Sequence, residues 1–136
     1  MKKYLSMLAF VMMAMVSFTL QSCGDDDDNN ASYQIQTSLR IDQKGNVLTD
    51  AECEAMIIAS AKKAVAKYPS DDAAEAATKI AANELKSGLE QSNQEFGTAV
   101  FTFTLKCTKV SDGKQIVTYY VTRNSDGDID VSDNKN

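Results

Sequence analysis

The sequence predicts an α+β domain: a two-layer sandwich with a small antiparallel sheet and an αα-hairpin on one face. Two segments alternate apolar and polar residues, as half-buried strands do, and they flank an alanine-rich stretch with helical spacing over residues 49–92. An Asp-Gly turn separates the second strand from a third. The expected order of elements is therefore β-α-α-β-β.

The first strand is expected over residues 33–41. Polar residues occupy the even positions, and the odd positions carry the residues expected to face the core: Tyr33, Ile35, Thr37, Leu39 and Ile41. A period of two residues is typical of a strand with one buried face.

Two helices are expected next. The first begins at a capping box, Thr49 with Glu52, and continues to Pro69, which ends it. Its apolar residues recur at helical spacing: Cys53, Met56, Ile57, Ala61, Ala64 and Tyr68. The second helix starts at Ser70-Asp71-Asp72, where Asp72 and Glu75 repeat the cap pattern, and it ends near Ser92. So short a connection predicts an αα-hairpin.

A β-hairpin follows over residues 98–123. A three-residue loop, Ser111-Asp112-Gly113, would pair Val110 with Lys114. That register places Cys107 opposite Val117, Leu105 opposite Tyr119, and Phe103 opposite Val121, so the apolar side chains share one face. The domain is expected to span residues 33–123, and residues 124–136 to form a polar acidic tail with a short edge strand near Ile129.

Composition excludes several functional classes. The chain of 136 residues has room for one domain. It has no histidine, which excludes His-based catalytic triads and His-containing zinc sites. With 19 acidic and 14 basic residues it lacks the positive balance of a nucleic-acid binder. We expect no enzyme activity, no cofactor and no nucleic-acid partner.

The N-terminal segment predicts export. Lys2 and Lys3 precede an apolar run, Leu5 to Leu20, that is shorter than the roughly 20 residues of a membrane-spanning helix. This order is typical of a secretory signal peptide. Leu20-Gln21-Ser22-Cys23 resembles the lipobox of bacterial lipoproteins, whose cysteine becomes the mature N-terminus and carries the acyl chains.

An acidic run directly follows that cysteine, at Asp25, Asp26, Asp27 and Asp28. It resembles the export signal of Bacteroidota lipoproteins, which implies an outer-membrane protein, anchored through acyl chains on Cys23 and facing the cell exterior. The resemblance covers residues 1–28 only. On this interpretation residues 1–22 are a signal peptide and residues 23–32 a lipidated acidic tether. A solvated tether held extended by like charges is the alternative interpretation of the aspartates.

Two further motifs are weak candidates for chemistry. The topology places Cys53 and Cys107 at opposite ends of the sheet, too far apart for a disulfide, so we expect two thiols. The aspartates of residues 126–130 suggest calcium, but an EF-hand loop started at Asn124 has Ile129 at the glycine position and Lys135 at the twelfth. We therefore predict a solvated turn and no metal site.

The remaining candidate is the sheet face turned away from the helices. Its residues form the possible binding face: Thr102, Thr104, Lys106, Thr118 and Tyr120. Threonine is also simply a good strand residue on a solvated face. The sequence favours a non-catalytic binding domain for an unknown protein or glycan. The alternative is an inhibitor or immunity-type protein that protects the envelope from a hydrolase or toxin.

Overall fold

A computed structural model describes residues 31–91 and 93–133. The elements are β1 (Ala31–Gln43), α1 (Asp50–Ser60), β2 (Lys62–Tyr68), α2 (Asp71–Gln91), a 3-10 turn (Asn93–Phe96), β3 (Val100–Lys109), β4 (Gln115–Arg123) and β5 (Ile129–Asp133). The strands form one sheet in the order β2-β1-β3-β4-β5. All four neighbouring pairs are antiparallel. The predicted signal peptide, Cys23 and Asp25–Asp28 lie outside the described residues.

The predicted β-α-α-β-β order with an αα-hairpin is wrong. The observed order is β-α-β-α-β-β-β, because the second half of the expected first helix is β2, an edge strand paired with β1. Within it Ala64 and Ala66 face the helices, whereas Lys63 and Val65 face solvent. Ala61, Ala64 and Tyr68 fit a helical period, but Ala64, Ala66 and Tyr68 fit a period of two equally well.

Contacts with β1 explain why the chain leaves the helix at Ser60. The Thr37 hydroxyl donates to the carbonyl oxygens of Ser60 (2.8 Å) and Lys62 (3.4 Å), which ties the end of α1 to the sheet. Pairing over residues 62–68 then satisfies the backbone groups on the outer side of β1. Tertiary pairing therefore overrides the helical preference of alanine and lysine here.

The helix starts follow local capping chemistry. The Thr49 side chain accepts from the Glu52 amide, and the Glu52 carboxylate accepts from the Thr49 amide, so the predicted capping box is present. At α2 the cap is Ser70, whose hydroxyl accepts from the Ala73 amide at 3.1 Å. Asp72, which was expected to cap this helix together with Glu75, lies instead inside its first turn.

The body of the β3–β4 hairpin has the predicted register, but its turn differs. Cys107, Leu105 and Phe103 pair with Val117, Tyr119 and Val121 as predicted. The loop instead closes at Lys109, whose amide donates to the Lys114 carbonyl, so four residues, not three, form the turn. A bulge between Cys107 and Thr108 absorbs the one-residue difference.

The core lies between the helices and one face of the sheet. Tyr33 and Thr37 both face the helices, because their hydroxyls contact Asp71 of α2 and the end of α1. Three buried phenylalanine rings in this core pack edge to face, with Phe101 centred 5.4 Å from Phe96 and 5.8 Å from Phe103. Every buried core residue described lies between Tyr33 and Ile129. The described segment from Ala31 onward therefore contains a five-stranded sheet with its own core, and we expect it to fold without the N-terminal residues.

The segment expected to be a polar tail contributes the fifth strand. The anticipated edge strand near Ile129 is present as β5, which pairs with β4 over five residue pairs. Ala31 and Ser32, which the sequence placed in the tether, are the first residues of β1. Across residues 31–91 and 93–133, neither helix is long and apolar enough to cross a membrane.

Candidate functional site

The candidate site is the sheet face that neither helix covers, and we call it the open face. On β3 the alternation is sharp: Phe101, Phe103, Leu105 and Cys107 are fully buried under the helices. Thr102 and Thr104 point the other way and are half-buried, and Lys106 is exposed. One strand thus supplies both the core and the open face, as a period of two requires.

All five predicted face residues lie side by side in the centre of the open face. Thr104 pairs directly with Tyr120, and Lys106 pairs with Thr118. Thr102 pairs with Thr122, and their hydroxyl oxygens are 3.3 Å apart. Directly opposed side chains in a sheet have Cβ atoms about 5 Å apart. The five side chains therefore form one contiguous patch on β3 and β4.

Two more strands extend this patch. On β1, Gln36 and Ser38 pair with Lys106 and Thr104, and both are exposed. On β2, Lys63 pairs with Gln36 and continues the same row. Lys63 was absent from the predicted face because residues 49–68 were expected to form a helix. The alternation of residues 63–68 was the signal that could have found it.

The open face is rich in hydrogen-bond donors, namely threonine and tyrosine hydroxyls and lysine ammonium groups. Not all of them are accessible. Thr118 is buried, and its hydroxyl accepts a hydrogen bond from Gln115 Nε2 at 2.9 Å. The only aromatic ring on this face is Tyr120, which is half-buried, whereas all other aromatic rings in the described part of the chain are buried in the core. Among the described residues, a sugar ring would therefore find one aromatic ring on this face to stack against.

Charge differs between the open face and the helices. The side chains that point outward from the sheet include Arg40, Lys63, Lys67 and Lys106 as cations and Asp130 as an anion. Arg40 is paired with Asp42 at 3.1 Å. The helices are mostly acidic, with eight carboxylates against Lys79 and Lys86. The open face is thus the more positive surface of a chain that is negative overall.

A polar network closes the other end of the core. The Tyr33 hydroxyl donates to Asp71 Oδ1 at 2.6 Å, and the Nζ atoms of Lys109 and Lys114 lie 3.7 and 3.4 Å from that carboxylate. The Tyr33 hydrogen bond lowers the pKa of Asp71 most; partial burial opposes it, and both lysines lower it further. Burial and the Asp71 contact raise the pKa of Tyr33. This network joins α2 to the β3–β4 hairpin and has a structural role.

A buried arginine holds the turn before β3. Arg123 donates to Asn93 Oδ1 (2.7 Å), to the Asn93 carbonyl (3.0 Å) and to the carbonyls of Gly97 (2.8 Å) and Ala99 (2.7 Å). Its guanidinium carbon lies 5.7 Å from the centre of the Phe96 ring. Burial lowers the pKa of Arg123. With its donors engaged by backbone and amide oxygens, Arg123 belongs to the fold and not to a binding site.

Neither described cysteine is disulfide-bonded, as predicted. Cys107 is fully buried on the helix side of β3, and burial raises the pKa of its thiol to about 11. Cys53, in the first turn of α1, is half-buried, and burial is the main cause that raises its pKa too. Both thiols therefore stay protonated near neutral pH, which is the opposite of what a nucleophilic cysteine requires.

The acidic turn before β5 is organised by Asn124. Asn124 Oδ1 accepts from the amides of Asp126 and Asp128, at 3.0 and 3.1 Å. Over residues 31–91 and 93–133, no three or more cysteine or carboxylate side chains are grouped so as to hold a metal ion.

A cleft of about 390 Å³ lies between α2 and the β4–β5 edge; its residues are Asp72, Glu75, Ala76, Lys79, Tyr119 and Asp133.

Comparisons of this chain with models of known protein families, with curated proteins and with solved structures found no match. The open face therefore has to be interpreted from its own geometry and charge.

Proposed function

We propose that this chain is a lipid-anchored envelope protein whose open face binds a protein partner with an acidic surface. One observation carries the proposal: Thr102, Thr104, Lys106, Thr118 and Tyr120 lie together on a wide face that neither helix covers. A five-stranded sheet measures roughly 19 Å from first to last strand, which suits a flat protein surface better than a narrow ligand.

Charge and ring content favour a protein over a glycan. Lys63 and Lys106 flank Gln36 in one row, so their Cα atoms are about 10 Å apart across two strand spacings. Positive groups at that interval complement carboxylates on a partner and guide its approach. A glycan site would need aromatic rings for stacking, and Tyr120 is the single candidate on this face.

The partner proposal is tested by capture with matched variants. Residues 24–136 would be immobilised as wild type, as Lys106→Glu on the open face, and as Lys79→Glu on α2. Both substitutions change the charge equally at exposed lysines. We expect one acidic protein from an envelope extract to bind wild type and Lys79→Glu, to elute with salt, and to be lost with Lys106→Glu.

Other outcomes of the capture experiment have definite meanings. Binding that survives Lys106→Glu would place the partner site elsewhere and refute the proposal. Retention of polysaccharide in place of protein would identify a glycan-binding domain. If the captured protein is a hydrolase or toxin that loses activity on binding, the chain is its inhibitor, the alternative function that the sequence allowed.

The anchor is proposed from the sequence and has its own test. Cys23 would carry the acyl chains, and the acidic run would direct the protein to the cell exterior. Metabolic labelling with a fatty acid should mark the wild type and not Cys23→Ala. Replacing Asp25, Asp26, Asp27 and Asp28 with alanine should keep the label but protect the protein from protease added to whole cells. A labelled Cys23→Ala variant would contradict the anchor, and unchanged protease sensitivity would contradict the export role.

A further inference from the structure

The two edges of the sheet differ in charge. β2 forms one edge and β5 the other, and no described strand pairs with their outer sides. The β2 segment, residues 62–68, carries Lys62, Lys63 and Lys67 and no acidic residue. Residues 124–133, the turn and β5, carry Asp126, Asp128, Asp130 and Asp133 and no basic residue.

Accessibility of these side chains supports a role outside the domain. The three β2 lysines are exposed, and so are all four aspartates. None of the seven forms an ion pair with another described residue, whereas Lys109 and Lys114 are both engaged by Asp71. Within residues 31–91 and 93–133, the edge charges therefore remain available for pairing with another group.

Strand direction defines how the edges of two copies can meet. Four antiparallel steps separate β2 from β5, so the two edge strands run in the same direction. A second copy with its helices on the same side would thus place its β5 parallel to β2 of the first. Ala64 and Ala66 then share the helix side with Ile129 and Val131, so apolar residues meet apolar residues across the junction.

Pairing of like edges is disfavoured by the same charges. Two β2 edges would bring six lysines together, and two β5 edges would bring aspartates together. Like charges on adjacent strands destabilise pairing, whereas opposite charges contribute favourably. Among the possible pairings of these two edges, only that of β2 with β5 brings opposite charges together.

We propose that two copies of this chain associate edge to edge, with the lysine edge of β2 pairing to the aspartate edge of β5. The contact is heterologous, since it joins different surfaces of the two copies, and it can continue into longer assemblies. It leaves the open face of every copy uncovered. Lys63 belongs both to this edge and to the open face, but edge-to-edge association does not require the proposed partner, because purified copies of the chain suffice to test it.

The test uses charge swaps on residues 24–136, which contain all five described strands and both helices. One variant, Lys62→Glu/Lys63→Glu/Lys67→Glu, has two acidic edges. Another, Asp128→Lys/Asp130→Lys/Asp133→Lys, has two basic edges. A control, Lys44→Glu/Lys79→Glu/Lys86→Glu, has the same net charge as the first variant but unchanged edges. Sedimentation velocity at low and high ionic strength measures association, and thermal unfolding verifies the fold.

We expect wild type and control to form larger species that increase with protein concentration and disappear at high salt, where charges are screened. Each edge variant alone should lose these species. An equimolar mixture of the two edge variants should regain them, because each acidic edge then finds a basic one. The inference is overturned if wild type stays monomeric at every concentration, if an edge variant associates like wild type, or if the mixture fails to associate. In those cases the edge charges act to keep the strands from pairing.

Discussion

The two faces of the sheet are made from the same strands but differ sharply in burial. The helix side of β3 carries Phe101, Phe103 and Leu105, all fully buried, and it holds the domain together. The open side carries Thr102 and Thr104, which are half-buried, and Lys106, which is exposed. The difference teaches that stability and the proposed binding can be changed separately in this molecule, residue by residue along one strand.

The largest effect is expected on the helix side. Phe103→Ala should destabilise the domain by about 3–5 kcal/mol, since it removes a buried ring and leaves a cavity. Its neighbour on the open side, Thr102→Ala, is the matched control and should cost far less. Urea unfolding of both variants measures the difference. Comparable losses would mean that the two faces do not differ as described.

The second effect concerns the arginine that joins the sheet to the turn before β3. Arg123→Lys should destabilise by about 2–3 kcal/mol, because a lysine cannot reproduce the planar fork that serves the carbonyls of Asn93, Gly97 and Ala99. The reference is Lys106→Arg on the open face, which should unfold like wild type. If Arg123→Lys also unfolds like wild type, the buried hydrogen bonds contribute little.

A smaller, pH-dependent effect is expected at Asp71. Its pKa is lowered in the folded state, so its contribution to stability is present above the ordinary carboxyl pKa and is lost as pH falls through the folded value. Asp71→Asn should therefore be less stable than wild type at about pH 7, and the difference should disappear as pH falls below the folded-state pKa of Asp71. Asp72→Asn, at an exposed neighbour outside the network, is the control. A difference that persists unchanged in acid would contradict this interpretation.

The smallest stability effect is expected on the open face. Thr104→Ala and Lys106→Ala should each alter the free energy of unfolding by less than about 0.5 kcal/mol, because neither side chain fills the core. Chemical denaturation with a matched variant of the helix side, Leu105→Ala, checks this. A loss above about 1 kcal/mol at Thr104 would show that the open face also serves stability.

The two-residue period of the strands and the capping box of α1 explain which elements could be predicted from the sequence. The alternation over residues 33–41 and 98–110 identified two strands, and the apolar face specified the pairing of Phe103 with Val121. Thr49 and Glu52 marked the start of α1 through a contact between near neighbours. The five open-face positions alternate with core positions along β3 and β4. The strand period therefore sufficed to place them together from the sequence.

Residues 62–68 were mispredicted because their structure depends on distant partners. Their alanines and lysines favour a helix, and only pairing with β1, more than 20 residues away, makes them a strand. The predicted hairpin loop was one residue too short, because the apolar pattern does not reveal the bulge between Cys107 and Thr108. Lys63 was missed as a consequence of the first error, and with it the charge of the β2 edge.

The open face is the proposed partner site. Lysine acetylation of residues 24–136, alone and with the captured partner, followed by mass spectrometry, tests it directly. Lys106 lies at the centre of the open face, while Lys79 and Lys86 lie on α2 on the other side of the sheet. We predict that the partner slows acetylation of Lys106 and leaves Lys79 and Lys86 unchanged. Protection of the α2 lysines with Lys106 still reactive would contradict the account.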